Sequence, residues 1–126
     1  MVLVDTSVWI RSLANRPRFA AGLRRLLELD EVVGHELIYG ELLIGDRGGR
    51  RELLAVYEQM HQAPTVHHSE VVAFVRARRL HGRGAGWIDI HLLAAAVAGR
   101  FQLWTADPRC DALALELGVA YEAPTS

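Results

Sequence analysis

Four acidic residues are spread along the chain, each where an α/β fold would carry it to one edge of a sheet. They are Asp5 in VLVDTS, Glu41 in YGELLIG, Asp89 in GWIDIHLLAAA and Asp107 in LWTADP. An ionised carboxylate buried alone is costly, so one set among apolar neighbours needs a partner or a metal. Three or four converging would repel one another and require divalent cations between them. Hard oxygen donors select Mg²⁺ or Mn²⁺ over zinc. A metal held this way activates water and stabilises a phosphoryl oxyanion, the chemistry of metal-assisted phosphodiester cleavage.

The elements that must position these groups are legible in the apolar patterning. Met1-Val2-Leu3-Val4 is an apolar run that stops at Asp5 and the hydroxyls of Thr6 and Ser7; residues 101–104 stop in the same way at Thr105-Ala106-Asp107. A buried parallel strand reads as a continuous apolar run, and ligands gather outside the carboxyl ends of such strands. Glu41 and Asp89 fall on helices expected over 35–44 and 88–98. Further helices are expected over 7–13, around Phe19, Leu23, Leu26 and Leu27 (spacing i, i+4, i+7, i+8), over 50–60, from 69 to about 80, and over 108–117. Gly45, Gly99 and Gly118 are expected to end three of them. Brief strands are expected at 31–33, 64–66 and 119–121, with a frayed tail beyond. Short strands alternating with helices imply a parallel sheet covered on both faces.

Each carboxylate also has a plainer reading. Asp107 before Pro108 suits a helix N-cap with proline at N1. Asp89 in a first helical turn favours the macrodipole. Glu41 could face solvent from its helix. Asp5 could cap a strand end, but it is the hardest to explain so, and the joint pattern is far less expected by chance than any one member.

Composition narrows the classes. A length of 126 residues implies one domain over 1–126, and 51% hydrophobic residues fit a globular core rather than disorder. All 14 basic residues are arginine, and the net charge of -1 does not by itself suggest a nucleic-acid partner, although arginine suits bidentate phosphate contacts. Cys110 is the only cysteine, which excludes an intrachain disulfide and a thiolate zinc cluster. Asp5 interrupts any signal-peptide core, and the longest apolar stretch, 92–99, is too short for a bilayer. A soluble, cytoplasmic protein is expected. The six histidines have no metal spacing and read as structural or surface groups. The HGRGAGW loop lacks the Gly-Lys-Ser/Thr ending of a P-loop. Its Arg83 is a candidate phosphate contact, or more plainly an exposed loop arginine.

Taken in order and spacing, VLVDTSVWI, GELLIG, GRGAGWIDIHLLAAA and LWTADPRC resemble the signature blocks of PIN-domain ribonucleases of the VapC toxin type, and the resemblance covers essentially the whole chain. It implies a three-layer α/β/α fold with a short parallel sheet and Mg²⁺- or Mn²⁺-dependent endoribonuclease activity. It also implies neutralisation by a VapB-like antitoxin, and a homodimer. Carried over by position, Asp5, Glu41, Asp89 and Asp107 form the acidic quartet, with Asp5 and Asp89 as direct metal ligands and Ser7 and Thr105 as the polar groups that order it. Trp9, Ile10 and Leu13, with Leu42 and Ile44, would either line a groove for an antitoxin helix or belong to the core.

Other readings are weaker. A haloacid-dehalogenase-type enzyme needs a second Asp two positions after the first, where this chain has Ser7. A response-regulator receiver needs a late lysine, and the chain has none. A non-catalytic domain that binds RNA or a partner, or an RNA-processing nuclease outside toxin–antitoxin systems, stays open.

Overall fold

The computed structural model of the protein describes residues 1–123; residues 124–126, part of the tail expected to fray, lie outside the described residues. The elements run β1 (Val2–Val4), α1 (Thr6–Leu13), α2 (Pro17–Glu28), β2 (Val32–Val33), α3 (Glu36–Ile44), α4 (Arg51–Gln59), α5 (His68–Arg78), α6 (Trp87–Gly99), β3 (Gln102–Trp104) and α7 (Pro108–Glu116). The three strands form a parallel sheet in the order β2-β1-β3, within a three-layer α/β/α architecture. Leu3 pairs with Val33 on one side and Leu103 on the other. Every residue of β1 is buried, so the strand is apolar throughout rather than alternating. Each such side chain withdrawn from water contributes about 1.5–3 kcal/mol.

The connection out of β1 leads to β2 on one side, while β3 pairs on the other. The carboxyl end of β1 is therefore a topological switch point, where a crevice opens between diverging connections. Asp5 is the first residue past that end, and its backbone N–H bonds the carbonyl of Trp104 at 2.9 Å.

Three expectations need correction. Residues 64–66 form no strand. The ladder beyond β2 is instead continued by a single parallel bridge between Gly34 and Gln62, because the chain meets the sheet edge earlier, where Gly34 N–H bonds His61 and Ala63 N–H returns to Gly34. Residues 119–121 likewise form one bridge, Leu103 to Ala120, rather than a strand. Gly99 does not cap α6: it is the last helical residue, and Arg100 takes the left-handed conformation with φ 57°. Glycine is required at 99 because an added Cβ would strike the Phe101 ring.

A buried polar joint fixes the start of α3. His35 is fully buried, its Nδ1 accepts from Leu37 N–H at 3.0 Å, and its own backbone N–H donates to the Tyr57 hydroxyl at 2.8 Å. Burial lowers the His35 pKa and raises that of the Tyr57 phenol, so both are neutral. Tyr57 also meets Trp9 edge-on at 5.5 Å. Tyr57→Phe would keep the ring and strand the His35 N–H in the core. The expected cost is about 1–3 kcal/mol of unfolding free energy, read as a lower urea midpoint at unchanged m-value; an unshifted midpoint would mean the joint adds nothing.

Candidate active site

Asp5 is 5% exposed, yet its carboxylate is well supplied with donors. Oδ2 accepts from Ser7 Oγ at 2.6 Å and from Thr105 Oγ1 at 3.0 Å. Ser7 Oγ in turn accepts from Ala106 N–H at 3.0 Å, and Thr105 Oγ1 from Asp107 N–H at 3.1 Å. Two hydroxyls thus tie the end of β1 to the end of β3 and orient Asp5 between them. The sequence separation is 100 residues. The helix starting at Thr6 turns Ser7 towards β3 and Thr6 towards α3, where Thr6 Oγ1 donates to Glu41 Oε1 at 2.7 Å. Ser7 and Thr105, expected from the sequence as the polar groups of the quartet, both donate to Asp5 Oδ2. The part of Thr6 is not foreseen by the sequence reading, although consecutive hydroxyls at a helix start must point to different sides.

Asp107 stands at the start of α7, where Oδ1 accepts from Arg109 N–H at 2.9 Å. The cap reading of this residue holds, and it is compatible with a second role because Oδ2 is not engaged in the cap. Asp89 lies in the first turn of α6 and accepts a long bond, 3.4 Å, from Gly86 N–H. Its pKa is raised to about 6, by burial first and then by the charges of Asp5, Asp107 and Glu41, against the opposing pull of the Gly86 bond. Cys110, buried beneath the same edge, has its thiol pushed up by burial and then by Asp89, Asp5 and Asp107. Asp5 and Asp107 contribute to both shifts, and Glu41 to that of Asp89 alone.

The donor set consists of carboxylate oxygens and two hydroxyls, which fits a hard divalent cation. Among the described residues no three acidic, histidine or cysteine side chains are grouped closely enough to grip an ion unaided.

The remaining candidates resolve plainly. Arg83 pairs with Glu116 at 3.0 Å, the one ion pair among the described residues, so its side chain is already engaged. His67 caps α5 through Nδ1, and His91 and His68 pack edge-on against Trp87 at 5.1 and 5.5 Å. Trp9 and Leu42 belong to the core, Trp9 donating its indole N–H to Val4 O at 3.1 Å. Ile10, Leu13 and Ile44 are exposed, Ile44 to 88%. Leu13 borders an apolar cleft of about 270 Å³ with Leu23, Leu27 and Leu53.

A parallel sheet with a buried, hydroxyl-bonded carboxylate at its switch point defines a class, and sequence comparison agrees with it. Residues 2–115 match the PIN domain family. The chain is 43% identical over 124 residues, 95% of each chain, to Ribonuclease VapC32 of Mycobacterium tuberculosis strain CDC 1551 / Oshkosh, and equally to Ribonuclease VapC32 of strain ATCC 25618 / H37Rv. The chain belongs to the PIN-domain family, in its VapC-type ribonuclease branch. Among the described residues no helix is long and apolar enough to cross a membrane.

Proposed function

We propose that the protein is a Mg²⁺- or Mn²⁺-dependent endoribonuclease toxin whose chemistry is carried by Asp5, Glu41, Asp89 and Asp107. The observation that carries this reading is the set of hydroxyl bonds that hold two of these carboxylates at the end of β1, from Ser7 and Thr105 to Asp5 and from Thr6 to Glu41. Burial first, and then the charges of Asp5, Asp107 and Glu41, also raise the pKa of Asp89 to about 6. A structural ion pair would lower a carboxylate's pKa, whereas a cluster held together against its own repulsion is kept for a cation. A divalent ion bound there supplies a Lewis acid for the phosphoryl oxygen and an acidified water. Asp5 and Asp89 are its direct ligands in this reading. Glu41 and Asp107 complete the negative site, directly or through water. Ser7 and Thr105 hold Asp5 in one orientation, and Thr6 does the same for Glu41. RNA enters as a single strand or loop, whose backbone can bend into a crevice that a duplex cannot reach.

The partner in this reading is a VapB-like antitoxin, with an apolar helix seated on the cleft beside Leu13 and Leu27. The protein acts in the cytoplasm as a homodimer of one-domain chains. The test is cleavage of labelled cellular RNA by purified protein, with and without EDTA, and with coexpressed antitoxin. Cutting should require the metal and be suppressed by the antitoxin. Leu13→Asp should escape the antitoxin and still cut, because Leu13 is exposed and lies at the end of α1 opposite to Asp5, Thr6 and Ser7. Cutting that persists in EDTA would overturn the metal assignment.

A further inference from the structure

Beside the acidic edge lies a cleft of about 240 Å³ lined by Arg18, Phe19, Trp104, Thr105, Asp107 and Asp111. It continues into neighbouring hollows of about 230 and 300 Å³, the last reaching Arg25, and Arg18 borders all three. The groove therefore starts at Thr105, whose hydroxyl bonds Asp5, and leads away from the carboxylates along α2.

One wall of its first section is built unusually. Phe19 stacks on Trp104 with centroids 6.1 Å apart and planes 21° from parallel. Two guanidiniums share the Phe19 ring, Arg18 at 5.5 Å and Arg11 at 5.8 Å from its centroid. Arg11 is further fixed by a 3.0 Å bond from Nη1 to the carbonyl of Ser7, the residue that orients Asp5. Among the described residues neither arginine has a carboxylate within ion-pairing distance, although Asp107 and Asp111 line the same cleft as Arg18. Cation–π contact holds planar cations in place while leaving most of their five N–H donors unused. Two like charges on one ring repel each other, and an anion between or across them would relieve that repulsion. Asp107 and Asp111 line the same cleft and repel a phosphate, so the anion can be held only on the arginine side.

We propose that Arg18 and Arg11, aligned by Phe19, form a subsite for the RNA phosphate neighbouring the one that is cut. This rests on the ribonuclease reading and deepens it. Arg18 lines the groove while Arg11 meets the same ring from outside its lining, and the groove beyond Arg18 leads the strand on towards Arg25. Arg18 is exposed on the surface of α2, so its replacement should leave the fold intact.

The test measures binding separately from cutting. A labelled, short, mixed-sequence single-stranded RNA is titrated into full-length Asp5→Asn protein at several NaCl concentrations, with anisotropy as the readout. Adding Arg18→Ala or Arg11→Ala should weaken binding roughly tenfold, and should reduce the slope of log affinity against log salt by about 0.7 for each phosphate no longer neutralised. Arg18→Lys should restore the slope, and Arg47→Ala, in the loop after α3, should change neither quantity. In the protein with Asp5 intact, Arg18→Ala should act on KM rather than kcat. Wild-type affinity and salt slope in both alanine variants would overturn the subsite, even if the protein cuts RNA well. Weakened binding in a protein that never cuts would keep the subsite and remove the nuclease reading.

Discussion

Asp5→Asn is expected to lower the rate of RNA cleavage about 10³-fold, with no loss of folded stability. A group that stabilises charge in a water-poor site accounts for about 10²–10³ in rate when removed, and 10³ corresponds to about 4 kcal/mol. Asparagine keeps an oxygen where Oδ2 accepts from Ser7 and Thr105, so the tie between β1 and β3 survives. It also removes one of the charges that raise the pKa of Asp89. Without metal the variant should therefore melt at or above the wild-type temperature, the usual opposition between stability and a strained site. Cleavage rates and thermal melts of the same preparation check both halves. Equal cleavage by the two proteins would point to a contaminant or to a different site.

The second large effect concerns pH and metal. Asp89 titrates near 3.8 in the unfolded chain and at about 6 in the fold, because burial, then Asp5, Asp107 and Glu41 disfavour its charged form. Between those values the folded protein holds a proton that the unfolded chain has released. The associated stability is full below about 3.8 and is lost as pH rises through about 6. Solvent screening at a half-buried position reduces it to the order of 1–2 kcal/mol. In the proposed reading a divalent cation would substitute for the missing proton. Saturating Mg²⁺ should raise the melting temperature by roughly 5–10 °C near pH 7.5, and by far less near pH 5. Asp89→Asn should be more stable than wild type above about pH 6 without metal, and should gain little from Mg²⁺. An equal Mg²⁺ gain at both pH values, or in both proteins, would contradict the coupling.

Much of this site is legible without the fold, because the chemistry is placed by rules that act locally. Apolar runs ending in Asp5 and Asp107 mark strand ends, and strand ends of a parallel sheet share an edge. Glu41 and Asp89 stand out as acids among apolar helical neighbours. Illegible are the features set by which side chains meet. Trp9 and Leu42 have the same apolar character as Leu13 and Ile44, yet the first two are core and the others surface. Trp9, for one, meets Tyr57 edge-on, a tertiary contact that no periodicity encodes. Residues 64–66 have strand-like composition, but the sheet edge is already met at Gln62. The pairing of Arg83 with Glu116 and the gathering of Arg11 and Arg18 on Phe19 depend on tertiary approach. Gly99 reads as a helix stop on conformational grounds, whereas its size is what the Phe101 ring requires.

The tie between Asp5 and Thr105 has a temporal meaning as well. The ribosome delivers Asp5 early and Thr105 a hundred residues later, roughly 5–20 s apart at ordinary rates of elongation. Until the β3 segment emerges, the central strand lacks one neighbour, Asp5 lacks one of its two hydroxyl donors, and Asp107, just beyond β3, has not emerged either. A nascent chain therefore carries a disassembled cutting edge while it is still attached to the RNA machinery that is making it.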